Sequence, residues 1–339
     1  MKNIHKILRK IIKIIKLLFF HPIKLTNFLK LIICYSFQIR YAKTKPSFLM
    51  IEPCNYCNLQ CSSCPVAHKI TDKKKGDMPF STFKNIIDEV GDCLFYIILY
   101  NWGEPFLNNN FLKMVEYAKD KDIAVTTSTN GHFIDNQQIA EKIVKSGLDN
   151  IVVSVDGMNQ IVYEKYRIGG NLKKVIKGIN LLSSAKKKLK KNNPEIVFQV
   201  VINKYNEYQL PGFYEFAKKQ GVDRLKLKTY SYFYNKNELK FFVPKNSNLS
   251  RYGFNIKETK GCKDIWLGMN INYDGNVVPC CYDMFEEYKL GNIFKDGGVI
   301  KIWNSDKFSD FRRVILKNKK NINICKECDS LRIIKNIEI

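Results

Sequence analysis

Six times between residues 48 and 229, a short run of β-branched or aromatic residues gives way to a longer amphipathic one, and few folds satisfy that alternation. The strand-like runs are FLMIE (48–52), LFYIILY (94–100), IAVTTS (123–128), NIVVSV (150–155), IVFQVVI (196–202) and DRLKLKT (223–229). Between them the apolar spacing predicts helices at about 81–92, 110–121, 136–147, 171–190 and 206–220, with Ser81, Asn110 and Asp135 as N-caps. Six β/α units in a row imply a parallel sheet.

The polar, Gly-bearing peptides follow the strands directly. A cysteine-rich loop comes after the first, NWGEP (101–105) after the second, TNG (129–131) after the third and DG (156–157) after the fourth. All face the carboxyl end of the sheet, where parallel β/α folds build their sites because the strands are rigid and the loops free to vary. The pattern predicts an open barrel with a site at its mouth.

The first of these loops, EPCNYCNLQCSSCP (52–65), holds Cys54, Cys57, Cys61 and Cys64, the last three in the order C-x3-C-x2-C. Zinc sites usually reach four ligands with paired C-x2-C units or added His, and only His68 is nearby. A cubane iron-sulfur cluster held by three thiolates has one iron free for a small molecule.

Cys57, Cys61 and Cys64, with Asn58 and Leu59 between the first two and Pro65 after the third, resemble the loop of the radical S-adenosylmethionine (SAM) enzymes. The resemblance covers residues 48 to about 230 and implies a partial (β/α)6 TIM-like barrel. It further implies that the open iron chelates SAM, that one electron cleaves SAM to a 5′-deoxyadenosyl radical, and that this radical takes a hydrogen atom from substrate. Trp102, Gly103, Glu104 and Pro105 resemble the family's GGEP peptide, which holds the SAM amino group. Ser154 and Asp156 stand where polar residues reach SAM, Arg167 resembles the Arg that pairs its carboxylate, and Asn130 matches a further contact. Two departures stand out. Trp102 replaces a Gly, and Ser63 stands before the third Cys where the family commonly has a large or aromatic residue. Cys54 receives no ligand role, and Cys34 and Cys93 read as core residues.

Beyond a connector at 231–261, the tail (262–339) again carries cysteines. Cys262, Gly275, Cys280, LGNI (290–293), IW (302–303) and the C-x2-C of Cys325 and Cys328 resemble the SPASM/twitch extension, which holds auxiliary clusters. Four thiolates, Cys262, Cys280, Cys325 and Cys328, would saturate one 4Fe-4S cluster suited to carrying electrons. A structural zinc knuckle from the same four is the alternative. The spacing resembles a radical SAM dehydrogenase that oxidises an aminocyclitol alcohol. Related sulfatase-maturing enzymes carry an acidic base near Cys281, which makes Cys281 and Asp283 candidate proton acceptors.

The formal charge is +24, and residues 1–51 supply eleven Lys and Arg without one acid. The remainder is spread thinly along a Lys-, Asn- and Ile-rich chain, so nucleic acid is not an expected partner. Ile4, Ile7, Leu8, Ile11, Ile12, Ile15, Leu18 and Phe19 share one helical face opposite Lys2, Lys6, Arg9, Lys10, Lys13 and Lys16. With the apolar stretch from Phe28 to Tyr41, residues 1–47 read as a basic amphipathic segment for an anionic membrane surface, or as helices docked on the barrel. Eleven cysteines without a signal peptide suit a reducing cytoplasm, with the chain lying on the inner face of the membrane.

The expected activity is therefore oxidation of a sugar, cyclitol or lipid-linked glycan precursor, using two 4Fe-4S clusters, SAM and an external donor of flavodoxin or ferredoxin type. Peptide modification is the competing enzymatic reading, and a non-catalytic iron-sulfur electron carrier is the third.

Overall fold

Helix α1 (Pro22–Ser36) opens the computed structural model, which describes residues 21–41, 43–232, 239–252, 262–326, 328 and 333–339. The wheel of residues 4–19 lies outside the described residues. Pro22 sits at the first helical position, where its missing N–H leaves no intrahelical bond unmade.

Strand β1 (Phe48–Ile51) leads to α2 (Phe80–Val90), β2 (Tyr96–Ile98), α3 (Phe111–Asp120), β3 (Ala124–Thr129), α4 (Gln137–Lys145) and β4 (Asn150–Ser154). Helices α5 (Gln160–Tyr166) and α6 (Leu172–Lys188), strand β5 (Glu195–Ile202), α7 (Phe213–Lys219) and β6 (Arg224–Thr229) complete the barrel half. Each strand from β2 to β6 is parallel to the one before it. Side chains alternate across the sheet. Val125, Thr127 and Thr129 of β3 are buried against the helices, while Ala124, Thr126 and Ser128 lie on the concave face and are half-buried. The helices return Phe83, Ile86, Ile87 and Val90 from α2 and Val175, Ile179 and Leu182 from α6 to one core.

The tail adds β7 (Gly268–Ile271), β8 (Asn276–Val278), β9 (Gly291–Asn292), α8 (Val299–Trp303), α9 (Asp306–Asn318) and β10 (Ile333–Glu338). It is more ordered than its loop-rich reading, because Phe308, Phe311 and Ile315 give α9 a buried stripe and Ser305 caps it by accepting from the Phe308 amide. Strand β7 pairs in parallel with β1, and β10 pairs antiparallel with β6. The strand order is β10-β6-β5-β4-β3-β2-β1-β7-β8-β9, so both ends of the six-stranded barrel half are extended by the tail.

Two local readings shift. Helix α2 begins at Phe80 after Pro79, which leaves Ser81 inside it, and α4 is capped by Asn136, whose side chain accepts from the Ile139 amide, not by Asp135. Asn110 does stand at the N-cap of α3, though its side chain makes no capping bond.

Helix α1 is docked. Leu31 is fully buried, Phe28 meets Phe95 edge-on at 5.5 Å, Asn27 exchanges hydrogen bonds with the Lys45 backbone, and Lys24 Nζ donates to the Asp122 carbonyl at 2.7 Å. Leu31→Ala is expected to lower stability by about 2–5 kcal/mol, as for other buried leucines. Leu29→Ala, on the exposed side, is expected to stay within about 0.5 kcal/mol. Urea unfolding midpoints check both, and equal small effects would mean the helix is not packed as described.

Candidate active site at the barrel mouth

The cysteine loop leaves β1 and is held from two directions. On one side Cys54 is fully buried and its thiol donates to the Glu104 carbonyl at 3.1 Å. A Cβ on Gly103 would come within 2.1 Å of the Cys54 carbonyl oxygen, so only glycine lets NWGEP lie this close. On the other side the Gln60 and Ser62 amides donate to the Ile168 and Tyr166 carbonyls at 3.0 Å, and Ser62 Oγ to that of Lys165. Helix α5, which the sequence reading passed over, therefore docks the loop. Its cap is Asn159, whose side chain accepts from the Val162 amide at 3.0 Å.

Polar hydrogens are aimed at the sulfurs. The Leu59 amide (3.4 Å) and Asn130 Nδ2 (3.6 Å) point at Cys57 Sγ, and an Arg167 terminal nitrogen lies 3.5 Å from Cys61 Sγ. Burial pushes the Cys57 thiol up to about 12 and raises Cys64 as well. Ionising them in that setting needs the charge of bound iron. Among the described residues no group of three or more His, Cys, Asp or Glu is drawn together as around a single metal ion. A cubane asks for something different, since each thiolate binds its own iron. The loop fits such a cluster in its donor chemistry and in the hydrogen bonds offered to its sulfurs. A cavity of about 600 Å³ opens beside Cys57, lined also by Glu52, Tyr56, Leu59, Trp102 and Met284; of the residues expected to contact SAM, it is lined by Trp102 and not by Gly103, Glu104, Pro105, Asn130, Ser154, Asp156 or Arg167.

The other residues singled out from the sequence gather at the same end, with unequal freedom. Glu104 is 3% exposed and both its oxygens are engaged, accepting from Thr129 Oγ1 at 2.7 Å, the Asn130 amide at 2.8 Å and the Phe106 amide at 3.3 Å. It ties the NWGEP loop to TNG. Burial pushes its carboxyl up to about 7. Asp156 forms an ion pair with Arg167 through one oxygen and accepts from the Val201 amide through the other, so it orients Arg167 and does not itself face the cavity. Burial opposes the Arg167 charge, and the Asp156 carboxylate outweighs it. Pro105 opens a buried 3-10 turn behind Glu104. Ser154 makes no side-chain hydrogen bond among the described residues. The small Ser63 is met by an aromatic from elsewhere, because Tyr230 at the end of β6 exchanges a 2.7 Å hydroxyl contact with it.

In the tail, Cys262, Cys280, Cys325 and Cys328 come together closely enough that Cys280 feels the charge of both Cys325 and Cys328, and Cys325 that of Cys328 and Cys262. Burial is the first cause of the raised thiols there. The two proton-acceptor candidates are less suited to that role than their positions suggest. Asp283 is 2% exposed and accepts from the Glu287 and Tyr288 amides at 2.9 and 3.0 Å, which makes it the cap of a turn. Burial pushes the Cys281 thiol up to about 11, so at neutral pH it carries its proton.

The radical SAM superfamily model matches residues 51–224, and a model for an iron-sulfur cluster-binding domain, SPASM, matches residues 262–329. The chain belongs to the radical SAM superfamily. It is similar to the tungsten-containing aldehyde ferredoxin oxidoreductase cofactor-modifying protein of Pyrococcus furiosus, 25% identical with 80% of this chain and 84% of the relative covered. It is also similar to mycofactocin maturase MftC of Mycobacterium ulcerans, 23% identical over 86% of this chain and 82% of the relative. The crystal structure of Streptococcus suis SuiB bound to precursor peptide SuiA shares the fold, with a TM-score of 0.60 at 17% identity, covering 84% of this chain and 70% of that one. As a radical SAM enzyme with a SPASM domain, the chain uses SAM, a SAM-binding 4Fe-4S cluster and auxiliary iron-sulfur chemistry.

Sequence reasoning missed Glu52, Lys228, Tyr230 and Arg251 in this radical SAM enzyme. Glu52 alone had a visible signal, an acid ending an apolar strand. It is 3% exposed beside the cavity, accepts from the Tyr273 and Trp102 backbone, and burial pushes it up to about 7 from 4.5. Between those values the folded chain keeps the proton that the unfolded chain releases, so stability falls as pH rises through this window, by on the order of 3 kcal/mol. Glu52→Gln is expected to melt higher than the parent near pH 8 and to converge with it toward pH 4.5. A difference in melting temperature that does not change with pH would contradict this.

Proposed function

We propose that this radical SAM enzyme oxidises a hydroxyl-bearing carbon of a sugar, cyclitol or lipid-linked glycan precursor and releases the second electron through one auxiliary 4Fe-4S cluster. The sequence spacing of Cys262, Cys280, Cys325 and Cys328 and the charge effects that link them support the reading, since four thiolates would leave no iron open and favour electron transfer over substrate binding. When bound, the cysteine-loop cluster and SAM supply a carbon radical that accepts one hydrogen atom. In the net reaction the alcohol carbon gives up that atom, the hydroxyl a proton and the substrate one further electron, leaving a carbonyl. One SAM becomes methionine and 5′-deoxyadenosine, and an external donor of flavodoxin or ferredoxin type provides the first electron.

Peptide modification is the second reading, favoured by similarity to MftC across most of both chains and by a shared fold with SuiB, whose structure holds a precursor peptide. Anaerobic protein with dithionite is expected to form 5′-deoxyadenosine, and Cys61→Ala to reduce this to background. Cys325→Ala with Cys328→Ala is expected to keep SAM cleavage near the parent level and lose the oxidised product. Deuterium carried from a labelled hydroxylated substrate into 5′-deoxyadenosine supports the first reading, and transfer only from a peptide supports the second. No cleavage by the parent chain would leave only the electron carrier.

We also propose that the amino-terminal region meets an anionic membrane surface. Leu29, Ile33 and Phe37 lie four residues apart and are 51%, 51% and 76% exposed, directly after a stretch with only basic charge. Among the described residues no helix is long and apolar enough to cross a membrane. The chain is expected to float with phosphatidylglycerol vesicles and less with neutral ones, and Leu29→Ser with Phe37→Ser to weaken this. Equal flotation with both vesicle types would remove the anionic component.

A further inference from the structure

Strand β6 reads RLKLKT, and its two faces have different surroundings. Leu225 and Leu227 are 1% and 2% exposed against the helices, which turns Lys226 and Lys228 onto the concave face. The parallel register sets Lys226 beside Gln199, Gln199 beside Ser154, and Lys228 beside Val201. None of the side chains of Ser154, Gln199, Lys226 and Lys228 has a hydrogen bond or ion pair among the described residues.

Cationic charge is in excess here. Lys228 feels Lys226 and Arg251 as like charges, and Arg251 is itself 4% exposed, donating to Thr229, Ser231 and Tyr282 hydroxyls. The nearby acids are committed, Asp156 to Arg167 and Glu195 to Arg224. Two ammonium groups side by side on a half-buried face, with two unpartnered hydrogen-bonding groups next to them, have no ion-pair partner among the described residues. The place is also right for substrate. Tyr230, two residues beyond Lys228 and so about 7 Å along the strand, touches Ser63 next to Cys64, while Cys281 of the tail approaches Lys228 from the auxiliary side.

We infer that the substrate carries an anionic group, a phosphate or carboxylate, which Lys226 and Lys228 hold on the concave face with Ser154 and Gln199 beside them. This rests on the hydrogen-abstraction reading above and adds the substrate's charge to it. Lysine suits the task as a point charge for either anion.

Pyridoxal 5′-phosphate, an anionic aldehyde, tests it on the reconstituted full chain. An unprotonated lysine forms an imine with loss of water, borohydride reduces that to a stable amine, and peptide mass spectrometry locates it. Burial pushes Lys228 down to about 8, which leaves more free amine near neutral pH than an ordinary lysine has. Lys228 is expected to label ahead of the exposed Lys173, and its rate ratio for pyridoxal 5′-phosphate over pyridoxal to exceed that of Lys173 by about tenfold, Lys173 correcting for the internal hemiacetal of pyridoxal. Protection by inorganic phosphate but not acetate would point to a phosphoryl substrate, and protection by acetate to a carboxylate. Lys226→Met is expected to weaken that protection. Labelling of Lys228 no faster than Lys173, the same aldehyde ratio at Lys228 as at Lys173, or no protection by either anion overturns the inference. 5′-Deoxyadenosine formation by the same preparation is measured alongside, so loss of the radical reading is seen separately from loss of the anion site.

Discussion

Strand β1 is hydrogen-bonded along both edges, to β2 on one side and β7 on the other, both in parallel. The rest of the site depends on this. The cysteine loop leaves the end of β1, so pairing with β7 fixes the tail relative to Cys57, Cys61 and Cys64 and brings Met284 to the cavity wall. Because β10 pairs with β6 at the opposite edge, the tail grips the barrel half at both ends. The two thiol sets are therefore attached to one continuous sheet.

Low dielectric at the mouth explains why so few side chains remain free there. An ionised carboxylate is costly to bury unless its oxygens are bonded, and Glu104 and Asp156 meet that condition by tying loops together. Arg167 then links the acid at the end of β4 to the sulfur of Cys61, so the ion pair that orients Arg167 also ties it to the cysteine loop. Ser154, Gln199, Lys226 and Lys228, on the concave faces of β4, β5 and β6, make no side-chain hydrogen bond among the described residues.

Element types were legible because strand and helix periods differ, and all six expected strands lie within a few residues of their places. The cysteines were legible because their spacing is local. What was not legible came from partners distant in sequence. GMNI (268–271) is too short to announce a strand and is one only because β1 offers an unpaired edge. The seven residues of α5 have little periodicity of their own and gain their role from the loop they receive. Asp283 looks like a free acid until the Glu287 and Tyr288 amides are seen to bind it. In RLKLKT the alternation says that the faces differ, yet not that the polar one lines a lumen instead of bulk water. Lys228 therefore went unread for want of information that only the folded sheet provides.

Helix α1 shows the same limit from the other direction. Membrane contact and docking on the barrel stood as alternatives for the amino-terminal segment, but a helix has room for two stripes. Residues 24, 27, 31 and 34 follow the three-to-four-residue spacing of a packed face, and Lys24, Asn27, Leu31 and Cys34 are the ones buried. Residues 29, 33 and 37 follow it on another face and stay exposed. Even the buried lysine agrees with docking, since its ammonium is satisfied by the Asp122 carbonyl and by charges at the foot of the barrel. Docking thus accounts for one stripe and leaves the second without a partner inside the described chain. The proposed contact with an anionic surface would use that second row, and the packed stripe would then hold the barrel at a set orientation above it.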